Sequence, residues 1–295
     1  MLFDARQKKS SMLGRCVPPT HYGAMTPITR RCALAALAAL PGACGSEAPA
    51  AQRFKGFDAA RMAVRIAGDG RPTLLLHGFA SNGEAWFRWG LAGRLVAQGR
   101  RVIAPDFRGH GGSDAPEGPD AYPKDVLAMD QEALLASLGL GAYDIVAYSM
   151  GALVAVRMLA RGARPGRVVL GGMGDARIEG VTARDEMFRD AAAHGEAART
   201  EGARRIAQML AKGGLKGPAI LGVLDSLERT PPVELKRLTT PILVVCGQED
   251  DENGSAEGLA AALGNARAMR VPGAHGTTPQ TNAFQKAVTG FLGRP

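Results

Sequence analysis

A serine hydroxyl is a poor nucleophile until a fold holds it exposed beside a base and an anion-stabilising site. Ser149 occupies a position built for that. The β-favouring run Asp144-Ile-Val-Ala-Tyr leads into it, and the small-residue amphipathic run Met150-Gly-Ala-Leu-Val-Ala-Val leaves it. This pattern reads as a strand, a sharp turn with the serine at its tip, and a helix. Downstream lie an acid, Asp250, and a histidine, His275. Nucleophile, acid and base thus follow one another along the chain, and acyl transfer is the chemistry such a set performs.

The elements that must position these groups are legible as an alternation of short apolar runs and helical patterns. Residues 54–57 and 62–67 read as a leading strand pair, 73–76 as a buried strand, and 84–98 as one helix. A strand at 101–104, a helix at 125–138, a strand at 143–148 and a helix at 151–161 follow. Further strands fall at 167–170, 242–246 and 268–271, with a closing helix at 281–291. Continuous apolar strands between helices predict an α/β fold, a mostly parallel central sheet flanked by helices on both faces. Residues 172–238 contain no clear strand. Helical segments at 183–193 and 196–212 are followed by Gly213-Gly214, Pro218 and Pro231-Pro232. The stretch is too long for an ordinary crossover and reads as an inserted helical cap. The expected layout is a core of 51–171 and 239–295 with a cap of 172–238.

Reactive groups in an open parallel sheet gather at the carboxyl ends of its strands. Those ends carry His77-Gly78-Phe79, Asp106, Ser149, Asp175, Asp250 and, after the last strand, His275. The order and placement resemble the α/β-hydrolase superfamily over roughly residues 53–295. The supporting motifs are His77-Gly78-Phe79, the run Pro105-Asp-Phe-Arg-Gly-His-Gly-Gly-Ser113, Gly247-Gln-Glu-Asp250 and Pro272-Gly-Ala-His275. The family's G-x-S-x-G turn is altered here, because Ala147 stands at its first position while Gly151 is retained.

The resemblance implies Ser149 as nucleophile, His275 as general base and Asp250 as the acid that orients it. Asp251 and Asp175 remain alternatives for the acid. The backbone N–H groups of Phe79 and Met150 would form the oxyanion hole. His77 reads as a structural part of that loop, while His21, His110 and His194 have no partner argument. Trp86 and Trp89 read as core. The implied function is a serine hydrolase cleaving an ester-like bond of a small molecule, with no cofactor. Acyl transfer, perhydrolysis or carbon–carbon cleavage by the same triad, and a non-catalytic ligand-binding role, are the alternatives. Epoxide and haloalkane hydrolysis on similar folds use aspartate at the turn, so Ser149 argues against them. Neither the substrate nor the oligomeric state is readable.

Composition narrows the classes. A hydrophobic content of 46% supplies a core for one large domain. The formal charge of +8 suggests nucleic acid, but residues 1–50 contribute +4, leaving +4 over the remaining 245. Basic residues interleaved with aromatics are missing, so nucleic-acid partners are not expected. Cys16, Cys32, Cys44 and Cys246 form no disulfide framework, and the five histidines lack metal-ligand spacing. Arg30-Arg31 precede a nine-residue apolar run, 32–40, which is about half of the roughly 20 residues a bilayer span needs. With Ala48-Pro49-Ala50 behind it, residues 1–50 read as an export signal, cleaved or disordered, rather than a stable membrane span. The arginine pair resembles the twin-arginine signal, and Cys44 loosely resembles a lipoprotein box. A periplasmic or secreted protein is therefore expected. A short buried Ala-rich helix in a cytoplasmic protein is the competing reading.

Overall fold

The computed structural model describes residues 47–179, 183–250 and 252–293. The described residues lie in one compact unit. The expected signal and Asp251 fall outside them, apart from residues 47–50.

Eight strands form one sheet: Gln52–Lys55 (β1), Arg61–Ala67 (β2), Arg71–Leu76 (β3), Arg100–Pro105 (β4), Asp144–Tyr148 (β5), Val168–Gly171 (β6), Ile242–Gly247 (β7) and Ala266–Val271 (β8). Their order is β1-β2-β4-β3-β5-β6-β7-β8. Only β1–β2 and β2–β4 run antiparallel; the other pairs are parallel. Parallel neighbours need crossovers, and helices on both faces supply them.

The strands read as unbroken apolar runs because each face meets helices. Leu74, Leu76, Ile145 and Val244 face one core with Val126–Ser137 (α3), Met150–Ala160 (α4) and Ala256–Ala262 (α10). Leu75, Val146, Tyr148 and Val245 face the other, against Ala85–Arg88 (α1), Leu91–Ala97 (α2) and Asn282–Leu292 (α11). Successive side chains point to opposite faces, so a single strand feeds both cores.

The single helix expected over 84–98 is two helices. Gly90 between them adopts φ 90°, in the left-handed region where glycine carries no Cβ penalty, and the chain turns there. Between β6 and β7 the chain runs through Ala176–Glu179 (α5), Ala183–His194 (α6), Glu201–Lys212 (α7), Gly217–Ser226 (α8) and Pro232–Leu235 (α9). The helix expected to begin at 196 begins at 201, because the Thr200 hydroxyl accepts the Ala203 N–H and caps it there. Helix α8 was not anticipated: Pro218 reads as a breaker but lies in the first turn, where its missing N–H costs nothing. Helices α6, α7 and α8 share their own apolar cluster, which includes Phe188, Ala203, Leu210 and Ile220. No helix among the described residues is long and apolar enough to cross a membrane.

Candidate active site

Ser149 sits between β5 and α4 with φ 52° and ψ −116°. A non-glycine residue in this region is strained, and such strain persists only where the surroundings over-determine it. Two features do so. The Ser149 N–H donates to Gly171 O at 2.8 Å, and the Ala152 N–H to Ser149 O at 2.9 Å. Gly151 lets α4 pass over β3: a Cβ there would lie 2.4 Å from Leu76 O and 2.7 Å from His77 O. Ala147, where the family carries glycine, is buried and paired between Leu76 and Leu170.

His275 follows β8 and is 8% exposed. Its Nε2 lies 3.0 Å from Ser149 Oγ, and its Nδ1 lies 2.9 Å from Asp250 Oδ2. Asp250 lies in the turn after β7 and is 2% exposed. The carboxylate accepts only, so Nδ1 carries the proton. That leaves Nε2 to accept the Ser149 hydroxyl hydrogen. Ser149, Asp250 and His275 are thus brought together from three strand ends. Asp175 is not part of this chain: its Oδ1 accepts the Ser255 N–H at 2.7 Å and ties the segment after β6 to α10. Asp106 accepts from the Gly83 and Gly112 N–H groups and from Arg65, bracing the loops after β3 and β4.

Phe79 and Met150 flank Ser149 along the same cavity wall. Among the described residues, neither backbone N–H donates to a protein acceptor, which leaves both free for an oxyanion. His77 shapes the loop that carries Phe79. Its Nδ1–H donates to Gly78 O at 2.8 Å, and its Nε2 accepts the Phe107 N–H at 2.9 Å. Both ring positions are satisfied only by the neutral form. Burial pushes His77 down to about 4, and burial together with the neighbouring His77 ring pushes His110 down to about 3.

These shifts carry a sign. A histidine whose folded value lies below its unfolded value of about 6.5 stabilises the fold fully above that value, and the contribution fades as pH falls towards the folded one. Lowering the pH from 7 to 5 should therefore remove about 2 kcal/mol for each of the two rings. That window lies above the range where carboxylates titrate. Urea unfolding at the two pH values measures the loss, and equal stabilities would refute it.

Two further side chains at this site carry no local sequence signature. The Tyr148 hydroxyl donates to His275 O at 2.6 Å and fixes the histidine loop from beneath. Burial and the Asp250 charge raise the Tyr148 value, so this proton stays in place. The Asn253 Nδ2 donates to Gly172 O at 3.0 Å and lies 3.4 Å from His275 Nδ1. Tyr148 is a positioning residue: Tyr148→Phe should lower kcat about tenfold and shift KM less than about twofold, because loosening the base leaves the binding cavity intact. A variant with only a lowered melting temperature would mean a purely structural role.

The cavity above the serine has a volume of about 590 Å³, in the range of small-molecule sites. Phe79, Met173, Phe188, Met209, Leu224 and Leu227 give it apolar walls. Phe188 comes from α6 and packs edge-on against Phe79, with ring centroids 4.6 Å apart. Trp86 is fully buried core, and Trp89 is partly buried against the same core and also lines this cavity. Among the described residues, no group of three or more His, Cys, Asp or Glu side chains could hold a metal ion.

The model of the family described as alpha/beta hydrolase fold matches residues 72–171. Epoxide hydrolase 2 from Siraitia grosvenorii is 38% identical over 95 residues, 32% of this chain and 29% of that protein. The first curated relatives are matched over only 29–31% of their own length. Among solved structures, a hydrolase from Pseudomonas aeruginosa superposes with a TM-score of 0.67 at 23% identity, covering 83% of this chain and 98% of that one. An esterase from Exiguobacterium antarcticum superposes with a TM-score of 0.66 at 19% identity, covering 82% of this chain and 99% of that one. At these identities the likeness is one of fold.

Proposed function

We propose that this chain, which has the α/β-hydrolase fold, is a serine hydrolase of small-molecule, ester-like substrates. The observation that carries the reading is the continuous contact from Ser149 Oγ through His275 to Asp250, at 3.0 and 2.9 Å. Both distances are those of working hydrogen bonds.

In this reading His275 Nε2 takes the Ser149 proton as Oγ bonds to the ester carbonyl carbon. The carbonyl oxygen becomes an oxyanion facing the Met150 and Phe79 N–H groups. Asp250 stays ionised and stabilises the imidazolium. The tetrahedral centre collapses, the carbon–oxygen bond to the leaving alcohol breaks, and the alcohol departs with the proton from His275. Water then gives a proton to His275, attacks the acyl-serine and frees the acid, and Ser149 recovers its hydrogen. Every atom of the substrate is accounted for by one water.

A serine at the turn favours this chemistry over epoxide opening by an aspartate, the route implied for similar folds that hydrolyse epoxides. 4-Nitrophenyl esters of increasing acyl length test the reading. Turnover by wild type that vanishes in Ser149→Ala supports it. A well-folded wild type that cleaves none of the series overturns it.

A further inference from the structure

The charges around the cavity do not cancel. Its described lining carries Arg88, Arg177, Arg184, Asp185 and Glu252 besides His275. Arg177 pairs with Asp185 at 2.7 Å, and Arg184 of α6 pairs with Glu252 of the loop after β7. Both acids are thereby engaged by neighbouring arginines. Arg88 is left over. Among the described residues it makes no ion pair and no hydrogen bond.

Arg88 is also held on a firm base. It ends α1, and the turn at Gly90 follows directly. The next residue, Trp89, packs edge-on against the buried Trp86 with centroids 5.5 Å apart. The carbonyl of Trp89 accepts the Gln285 amide from α11. The backbone beneath Arg88 is therefore braced by two independent contacts. A guanidinium carried on a fixed backbone at the rim of an apolar cavity is suited to a carboxylate, which it can grip through two parallel N–H···O bonds.

We infer that the preferred substrate is an ester bearing a second, ionised carboxylate, which Arg88 binds while Ser149 meets the ester carbonyl. The assignment rests on the serine-hydrolase reading and names its substrate class. A monoanion matches the single uncompensated cation among the described lining residues, whereas a phosphate dianion would leave one charge unmatched. Binding it breaks no existing pair, because the other two arginines keep their acids.

Two matched pairs of esters test the assignment. Mono-4-nitrophenyl suberate against 4-nitrophenyl octanoate places the charge on the acyl side. 4-Carboxyphenyl butyrate against 4-carbamoylphenyl butyrate places it on the alcohol side. In wild type, kcat/KM for the charged member of one pair should exceed that of its neutral partner by at least about fivefold, the scale of a charge-assisted hydrogen bond at a partly exposed site. Arg88→Met should bring that ratio down by at least about fivefold, and Arg88→Lys, which keeps the charge but loses the two-pronged grip, should retain only part of it. In wild type alone the preference should also fade as salt is raised to about 0.5 M. That reading is independent of how any variant folds. A wild-type ratio at or below unity in both pairs, a ratio unchanged in Arg88→Met, or a preference insensitive to salt overturns the carboxylate site. Neutral esters cleaved in a Ser149-dependent way would then leave the hydrolase reading standing. Wild type that cleaves neither member of either pair overturns both.

Discussion

Ser149→Ala is expected to lose at least about 10⁴-fold in kcat for any ester the wild type cleaves, with little change in KM or melting temperature. The size follows from what the hydroxyl does: it forms the new bond to carbon, and among the described residues no other group in the cavity stands at hydrogen-bond distance from His275 Nε2. The small change in KM follows from what remains. The apolar walls, the Phe79 and Met150 N–H groups and the His275–Asp250 pair all survive the substitution. Stability is spared because the backbone at residue 149 is held by its own N–H and C=O bonds to Gly171 and Ala152 rather than by the side chain. A loss below about tenfold would mean that another group attacks the substrate.

Asp250→Asn is expected to lower kcat by about 10³ to 10⁴-fold, while Asp175→Asn stays within about threefold of wild type. An ionised Asp250 accepts the Nδ1–H of His275 and so turns the bare Nε2 toward Ser149. An asparagine amide can instead offer N–H to Nδ1, stabilising the tautomer that carries its hydrogen on Nε2 and cannot take the serine proton. It also removes the charge that would face the imidazolium. Asp175 serves a backbone N–H of Ser255, a contact that an amide oxygen can still accept. Steady-state kinetics of the two variants, each checked for folding, separate the candidates. A large loss in Asp175→Asn beside a small one in Asp250→Asn would exchange their roles.

The strands that position the site were legible because both their faces are buried. Leu74–Leu76, Ile145–Ala147 and Ile242–Val245 appear in sequence as unbroken apolar runs, and the groups at their ends follow from chain order. The helices were less legible where local signals compete. Gly90 splits one helical pattern into two, Thr200 moves a helix start, and Pro218 looks like a breaker while lying in a first turn. Helix α10 was unforeseen although Ser255 caps it through the Gly258 N–H. Tyr148, Asn253 and Arg88 were not legible as site residues at all. Their importance lies in contacts, or missing contacts, between segments about 20 to nearly 200 residues apart, which no local pattern encodes. The neutral state of His77 is similar: it is set by Phe107 and by burial, not by neighbouring sequence.

The central claim is that Ser149 is an activated nucleophile. The most direct measurement is labelling of the folded protein with a fluorophosphonate, followed by mass mapping of the modified peptide. The probe loses fluoride as the serine oxygen bonds to phosphorus, and it reacts only where a base draws the proton away and amide donors receive the developing charge. The account predicts one adduct per chain, on Ser149, that disappears in Ser149→Ala and forms far more slowly in Asp250→Asn. A folded wild type that takes up no probe, or an adduct that persists in Ser149→Ala, would contradict it.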